Sequence, residues 1–262
     1  MRTKFIAGNW KMHTDRADAK RLATAIAAGV GQEDRVSVAI CPPFPYLDVV
    51  GEMLRGSHVA LGAQNLYPEQ EGAFTGEVSP TMLVDLGCKY VILGHSERRH
   101  ILGESDAFIN RKVSVALTAG FDVILCIGET LEQRQANQTE ALLDRQLTQG
   151  LANLPADTLT RLSIAYEPLW AIGKSGHHAT PQQAGETHAV IRHRFGQLFG
   201  KEAALALIIQ YGGSGKPDNA SALLWQPGVD GALIGGASLD ADDFLAIVHA
   251  GVGEPQSEVK LA

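Results

Sequence analysis

Eight short, nearly continuous apolar runs constrain this chain more than any other feature: "KFIAGN", "RVSVAIC", "HVALGAQN", "KYVILGH", "FDVILCIGE", "RLSIAYE", "ALALIIQYGG" and "VDGALIGG". A strand that alternates apolar and polar residues has one dry face. Runs this continuous need cover on both faces, as in a parallel sheet. Between them lie segments with helical periodicity and their own punctuation. In "SDAFINRKVSVALTAG" Ser105 can cap the start and Gly120 mark the stop. In "TPQQAGETHAVIRHRF" Thr180 and Pro181 supply the cap and first turn. Strand and helix alternate along the whole chain.

Eight such units within 262 residues predict an α/β fold, a single (β/α)8 barrel, in preference to an open doubly wound sheet. No GxGxxG follows the first run, which weakens a dinucleotide-binding alternative. No linker or low-complexity stretch divides the chain, so residues 1–251 are expected to form one catalytic domain and 252–262 a loosely held tail. The formal net charge of -7 argues against nucleic acid or an anionic membrane surface as the main partner, while leaving room for a small anion held by local amides. The three cysteines, Cys41, Cys88 and Cys126, lie in apolar contexts with no CxxC pair. That predicts neither a disulfide framework nor a zinc site, and suits a reducing cytoplasm. No run approaches the roughly 18 apolar residues of a membrane span, and the apolar stretch near the N-terminus is too short for a signal segment, so a soluble, unprocessed protein is expected.

In a barrel of this kind the reacting groups stand where the strands end. After the first run come Asn9 and Lys11, after the fourth His95, and after the sixth Glu167. Gly212, Gly213 and Ser214 follow the seventh, and Gly235 and Gly236 the eighth. These glycines either make tight turns or let backbone N–H groups close on an anion; their adjacency in the strand order favours a phosphate cradle. His95 precedes the helix start "SERR", whose amides disfavour an imidazolium, so a neutral ring with a depressed pKa is expected if the residue is functional rather than structural. Glu167 is held extended by Pro168, and the apolar "LWAIG" beyond it is best covered by folding over a ligand as a lid. His177 and His178 are adjacent but lack carboxylate or cysteine company, and no metal site is expected there.

Taken together, "GNWKM", "GAFTGEVSP", "YVILGHSERR", "LGESD", "CIGET", "YEPLWAIG", "YGGS" and "DGALIGGASL" resemble, in order and spacing, the motifs of the triosephosphate isomerase family, as far as about Gly251. The resemblance implies a TIM barrel that interconverts dihydroxyacetone phosphate and D-glyceraldehyde 3-phosphate through an enediolate, without cofactor or metal, in glycolysis and gluconeogenesis. It implies Glu167 as the base, His95 as the group that polarises and protonates the oxygens, Lys11 as a positive field and Asn9 as an orienting group; the pairing of a glutamate base with a neutral histidine comes from that family and not from these residues alone. The amides of Gly173, Ser214, Gly235 and Gly236 would hold the phosphate. Tyr211 and Ser214 would latch the lid, Glu97 would position Lys11, and Ser96, Cys126 and Glu129 would support the site. The long loop "QNLYPEQEGAFTGE" would reach a second subunit and bring Thr75 to the neighbour's site, which makes a homodimer the expected partner state.

Two departures from the family pattern touch the lid and the phosphate site. The tip "KSGHH" is one residue longer than the family's usual tip, and Gly215 stands where valine is common. They keep open one alternative, an isomerase of a related four-carbon ketose phosphate; another, a catalytically silent phosphate-ligand binding protein, is disfavoured because base, electrophile and lysine are all present.

Overall fold

The computed structural model describes residues 2–173 and 179–253. The lid tip with His177 and His178, and the tail beyond Gly253, lie outside the described residues. The chain runs β1 (Lys4–Asn9), α1 (Arg16–Val30), β2 (Val36–Cys41), α2 (Leu47–Leu54), β3 (Val59–Ala63), α3 (Pro80–Asp85), β4 (Tyr90–Leu93), α4 (Ser96–His100) and α5 (Asp106–Thr118). It continues β5 (Asp122–Ile127), α6 (Leu131–Gln135), α7 (Thr139–Gly150), β6 (Leu162–Tyr166), α8 (Pro181–Phe199), α9 (Lys201–Ala206), β7 (Ile208–Tyr211), α10 (Pro217–Leu224), β8 (Gly231–Ile234) and α11 (Ala241–Val252). The strands form a closed barrel in sequence order, every neighbouring pair parallel, with β8 returning to β1. This is the (β/α)8 architecture that the eight apolar runs predict.

Burial on both faces explains why those runs do not alternate. Phe5, Ala7, Ala39, Ile92, Ile124, Ala165 and Leu233 fill the barrel interior. Their neighbours Ile6, Val38, Val91, Val123 and Ile164 pack outward with the helices. Closure depends on one small residue: a Cβ built on Gly231 would lie 1.9 Å from the Phe5 carbonyl oxygen, so only glycine lets β8 approach β1. Ser105 and Thr180 cap α5 and α8 by accepting the N–H groups of Phe108 and Gln183. The seventh run divides where the sequence reads as one: "ALA" ends α9 and only Ile208–Tyr211 is strand. The stretch "KEAALA" consists of good helix formers, and that local preference wins over the apolar run.

The amino-terminal end of the barrel is closed by charge. Asp230 receives Arg2 Nε at 2.8 Å, Arg192 on its second oxygen, and the Ile209 N–H at 3.0 Å. Lys4 Nζ donates to the carbonyls of Leu224 and Val229. The carboxyl-terminal end is left open, and the candidate site lies there. Among the described residues no helix is long and apolar enough to cross a membrane.

Candidate active site

Glu167 leaves β6 with its backbone tied to the end of β5. Its N–H donates to the Ile127 carbonyl at 2.8 Å, and two residues on the Leu169 N–H donates to Glu129 O at 3.0 Å. The Glu167 side chain is buried but fully engaged. Oε2 accepts the Ser96 N–H at 2.8 Å; Oε1 accepts the Ser96 hydroxyl at 3.2 Å and faces His95 Nε2 at 2.9 Å. His95 is itself the N-cap of α4, and its Nδ1 accepts the Glu97 N–H at 3.3 Å, which puts the proton of a neutral ring on Nε2. Lys11 completes the corner, with Nζ 2.6 Å from Glu97 Oε1. It sits at φ 54, a left-handed backbone that a non-glycine residue holds only when its surroundings enforce it. The Asn9 side chain accepts the Lys11 N–H, and Gln64 Nε2 donates to the Lys11 carbonyl at 2.8 Å and to the Cys41 carbonyl at 2.9 Å.

The electrostatics of the pair correct one expectation. Burial opposes an imidazolium at His95, but the charge and hydrogen bond of the facing Glu167 carboxylate, with the charge of Glu97, together outweigh burial and lift the ring above its ordinary value. Burial likewise opposes the charged Glu167, yet His95 and the Ser96 donors hold it below the usual carboxylate range. The predicted depression of His95 therefore fails for this arrangement, because nothing along the chain signals that the carboxylate would point at the ring. Once Glu167 turns to another partner, burial and the helix-terminal N–H remain, and both favour the neutral ring. Cys126 adjoins the same carboxylate; burial pushes its thiol well above its ordinary value, so it stays protonated.

One cavity of about 780 Å³ is lined by Asn9, Lys11, His95, Glu167, Gly173, Ser214, Gly235 and Gly236 together. Every residue expected to touch substrate thus meets in a single space. Gly235 approaches Lys11 so closely that a Cβ there would lie 3.3 Å from Lys11 Cε. The segment after β6 is held by the loop after β7: the Ser214 N–H donates to Ala171 O at 2.9 Å, and its hydroxyl is 3.5 Å from the Gly173 carbonyl. Tyr211 is buried, with its hydroxyl bonded to the Ala179 backbone and its pKa pushed by burial up to about 12. Ser96, Glu97, Cys126, Glu129 and Tyr211 stand outside this lining. Buried Glu129 anchors the lid hinge instead, accepting the Tyr166 hydroxyl, Trp170 Nε1 and Arg134 Nη1 at 2.9, 2.9 and 3.1 Å. Thr75 is exposed on the long loop after β3, where Phe74 packs on Tyr67 with ring centroids 4.6 Å apart.

Gly215 does not widen the site. A Cβ built there would lie 2.7 Å from Ile234 Cδ1, so the β8 side chain occupies the space that a larger residue would take. Sequence reasoning missed Gln64, Arg99 and Gln146. Arg99 donates to the carbonyls of Gly94 and Cys126 and pairs with Asp106, bracing the ends of β4 and β5. Gln146 alone left a readable trace, as a polar residue on the buried stripe of α7 beside Leu143 and Leu147.

A family model described as Triosephosphate isomerase matches residues 4–251. Among curated relatives, a protein named Triosephosphate isomerase from Chloroflexus aurantiacus is 51% identical over 249 residues, covering 95% of this chain and 99% of the relative. One of the same name from Carboxydothermus hydrogenoformans is 51% identical over 252 residues, covering 96% and 100%. A third, from Roseiflexus sp., is 50% identical over 249 residues, covering 95% and 98%.

Proposed function

The chain belongs to the triosephosphate isomerase family, and on that premise we propose how its residues divide the work of interconverting dihydroxyacetone phosphate and D-glyceraldehyde 3-phosphate. The chain is an isomerase; the roles within it are our reading. The observation that carries this reading is the buried Glu167 carboxylate 2.9 Å from His95 Nε2, at the wall of a cavity that also holds Lys11 and the glycine cradle. Glu167 takes a proton from the carbon beside the substrate carbonyl and returns it to the neighbouring carbon. The Nε2–H of His95 donates to the carbonyl oxygen as it gains charge, then moves protons between the two oxygens. Lys11 and Asn9 orient the substrate and stabilise the enediolate, and the N–H groups of Gly173, Ser214, Gly235 and Gly236 hold the phosphate. To act, Glu167 must exchange Ser96 and His95 for the substrate carbon, a movement that closure of the lid drives.

The catalytic unit is residues 1–251, working without cofactor in the cytoplasm as a homodimer. What supports the dimer is apolar exposure beyond what an isolated barrel tolerates. Met12, Phe74, Met82, Ile101 and Leu102 are all solvent-exposed on segments that follow β1, β3 and β4. A coupled assay started with dihydroxyacetone phosphate tests the activity, and a purified chain without turnover overturns it. Sedimentation of the wild type and of Thr75→Arg tests the dimer, with association and activity expected to fall together.

A further inference from the structure

A base is only as well placed as the backbone that carries it, and here that backbone is clamped from behind. Gly128, one residue past β5, approaches Glu167 so closely that a Cβ built on it would lie 1.8 Å from the Glu167 carbonyl oxygen and 3.1 Å from its Cα. The Glu167 N–H is bonded to Ile127 O and the Leu169 N–H to Glu129 O. The segment 127–129 is thus the bed on which the base lies, and a shift of that bed moves the carboxylate. Arg99 fixes its near side through the Cys126 carbonyl. The Gly128 peptide itself is held by a different group. Gln146 reaches in from α7, its Oε1 accepting the Gly128 N–H at 2.9 Å and its Nε2 lying 3.5 Å from the Gly128 carbonyl. Gln146 is buried. An amide on an apolar stripe is unfavourable unless its hydrogen bonds are made, so this side chain has few other places to go.

We propose that Gln146 is a positioning residue for the reaction: it fixes the Gly128 peptide, and through it the direction in which the Glu167 carboxylate leaves β6. The proposal rests on Glu167 being the base. A merely structural Gln146 would satisfy a buried peptide and contribute stability without any particular effect on turnover. Gln210 supplies the control for that role. It is equally buried, and its amide donates to the carbonyls of Phe5 and Ala232, both at 3.2 Å, inside the barrel and away from the base.

The test compares Gln146→Met, Gln146→Glu, Gln210→Met and Glu167→Gln by steady-state kinetics with dihydroxyacetone phosphate, each well below its melting temperature. Gln146→Met keeps the length of the side chain and loses both hydrogen bonds. It is expected to lower kcat about ten- to a hundredfold, the scale of a small misplacement of a reacting group. Its KM should stay within about twofold, since phosphate binding is untouched. Gln146→Glu retains an acceptor for the Gly128 N–H and should fall between Gln146→Met and wild type, which keeps the test decisive if the methionine variant folds poorly. Gln210→Met should lose thermal stability and keep its kcat. A wild-type kcat in both Gln146 variants, or an equal loss in Gln210→Met, overturns the positioning role. Glu167→Gln separates the two claims: if it retains turnover the base assignment fails, whereas a dead Glu167→Gln beside unimpaired Gln146 variants defeats the positioning proposal alone.

Discussion

Two buried carboxylates stand at opposite ends of the barrel, and they are held in opposite ways. Asp230, at the amino-terminal end of β8, is bound by two guanidinium groups and a strand N–H. Glu167, at the carboxyl-terminal end of β6, is bound by an imidazole, a serine hydroxyl and one N–H at a helix start. Arginine is charged at every accessible pH, and here Arg2 holds one Asp230 oxygen and Arg192 the other, so Asp230 has nothing to gain by moving. The partners of Glu167 are ones that a substrate can replace, and the ring among them loses its main source of a raised pKa when the carboxylate leaves. One end of the barrel uses a buried charge to stay closed; the other, on the roles proposed above, uses it to react.

The sharpest way to break this comparison is to neutralise each carboxylate and ask what is lost. Glu167→Gln should lower kcat about 10² to 10⁴-fold, the contribution of a positioned general base. Because the amide still fills the pocket, its melting temperature should stay near that of the wild type. Asp230→Ala should do the reverse. Removing one member of a buried ion cluster leaves Arg192 without its partner and costs about 3 to 5 kcal/mol, read by denaturant unfolding. The kcat of its folded fraction should be that of the wild type. A kcat loss in Asp230→Ala comparable to that in Glu167→Gln would show that the two ends are not separable.

Two buried histidines among the described residues extend the contrast to pH. His188 lies nearer the Asp230 end, its Nδ1 donating to the Gly228 carbonyl at 3.2 Å and its ring edge-on to Tyr166. Burial lowers its pKa to about 4, despite the carbonyl and Asp230, with Arg192 and Lys4 also opposing charge. In the unfolded chain the ring titrates near 6.5. Between these values the unfolded state binds more protons, so stability is complete above about pH 6.5, is lost as pH falls to about 4, and then levels off. The loss amounts to about 3 kcal/mol. His188→Gln should flatten this limb in unfolding free energies measured from pH 4 to 7. An unchanged slope would mean that other groups carry it. His95 has the opposite sign in the ligand-free protein, because its raised pKa favours the folded state below its ordinary value and that benefit is lost as pH rises.

What the sequence reveals follows the same division. The fold was legible because the eight apolar runs report burial on both faces, a property local to each strand. The positions of Asn9, Lys11, His95, Glu167 and the glycines were legible because each follows directly on a strand end and because the motifs are shared with a known family. The split of the seventh run was not, since apolar character alone does not separate the end of α9 from β7. Nor were the partners of Gln64, Arg99 and Gln146, even though Gln146 shows as a polar residue on an apolar stripe. Each acts on backbone groups supplied by other elements, and no spacing along the chain reports which carbonyl a side chain will meet. The charge state of His95 failed for a similar reason: the helix start is local, but the carboxylate that outweighs it arrives from β6, 72 positions away in the sequence.

Gly215 supplies the finest test, because it touches the reacting end without belonging to its side-chain network. A valine there would place its Cβ on Ile234 Cδ1. The strain of such overpacking is about 1 to 3 kcal/mol, unless the isoleucine finds another rotamer. Ile234→Val removes the one atom that the Cβ would meet. Gly215→Val alone should therefore lower the melting temperature and raise KM, since Ser214 beside it ties the segment after β6 to the loop proposed to hold the phosphate. Adding Ile234→Val should restore most of both, while kcat changes little in either variant. A double-mutant cycle in unfolding free energy and in KM measures the coupling. Additive losses would mean that residue 215 and β8 are independent, and that the glycine serves the loop's own backbone. A coupled recovery would show that the phosphate cradle, unlike the base, is shaped by packing beneath the backbone rather than by hydrogen bonds among side chains.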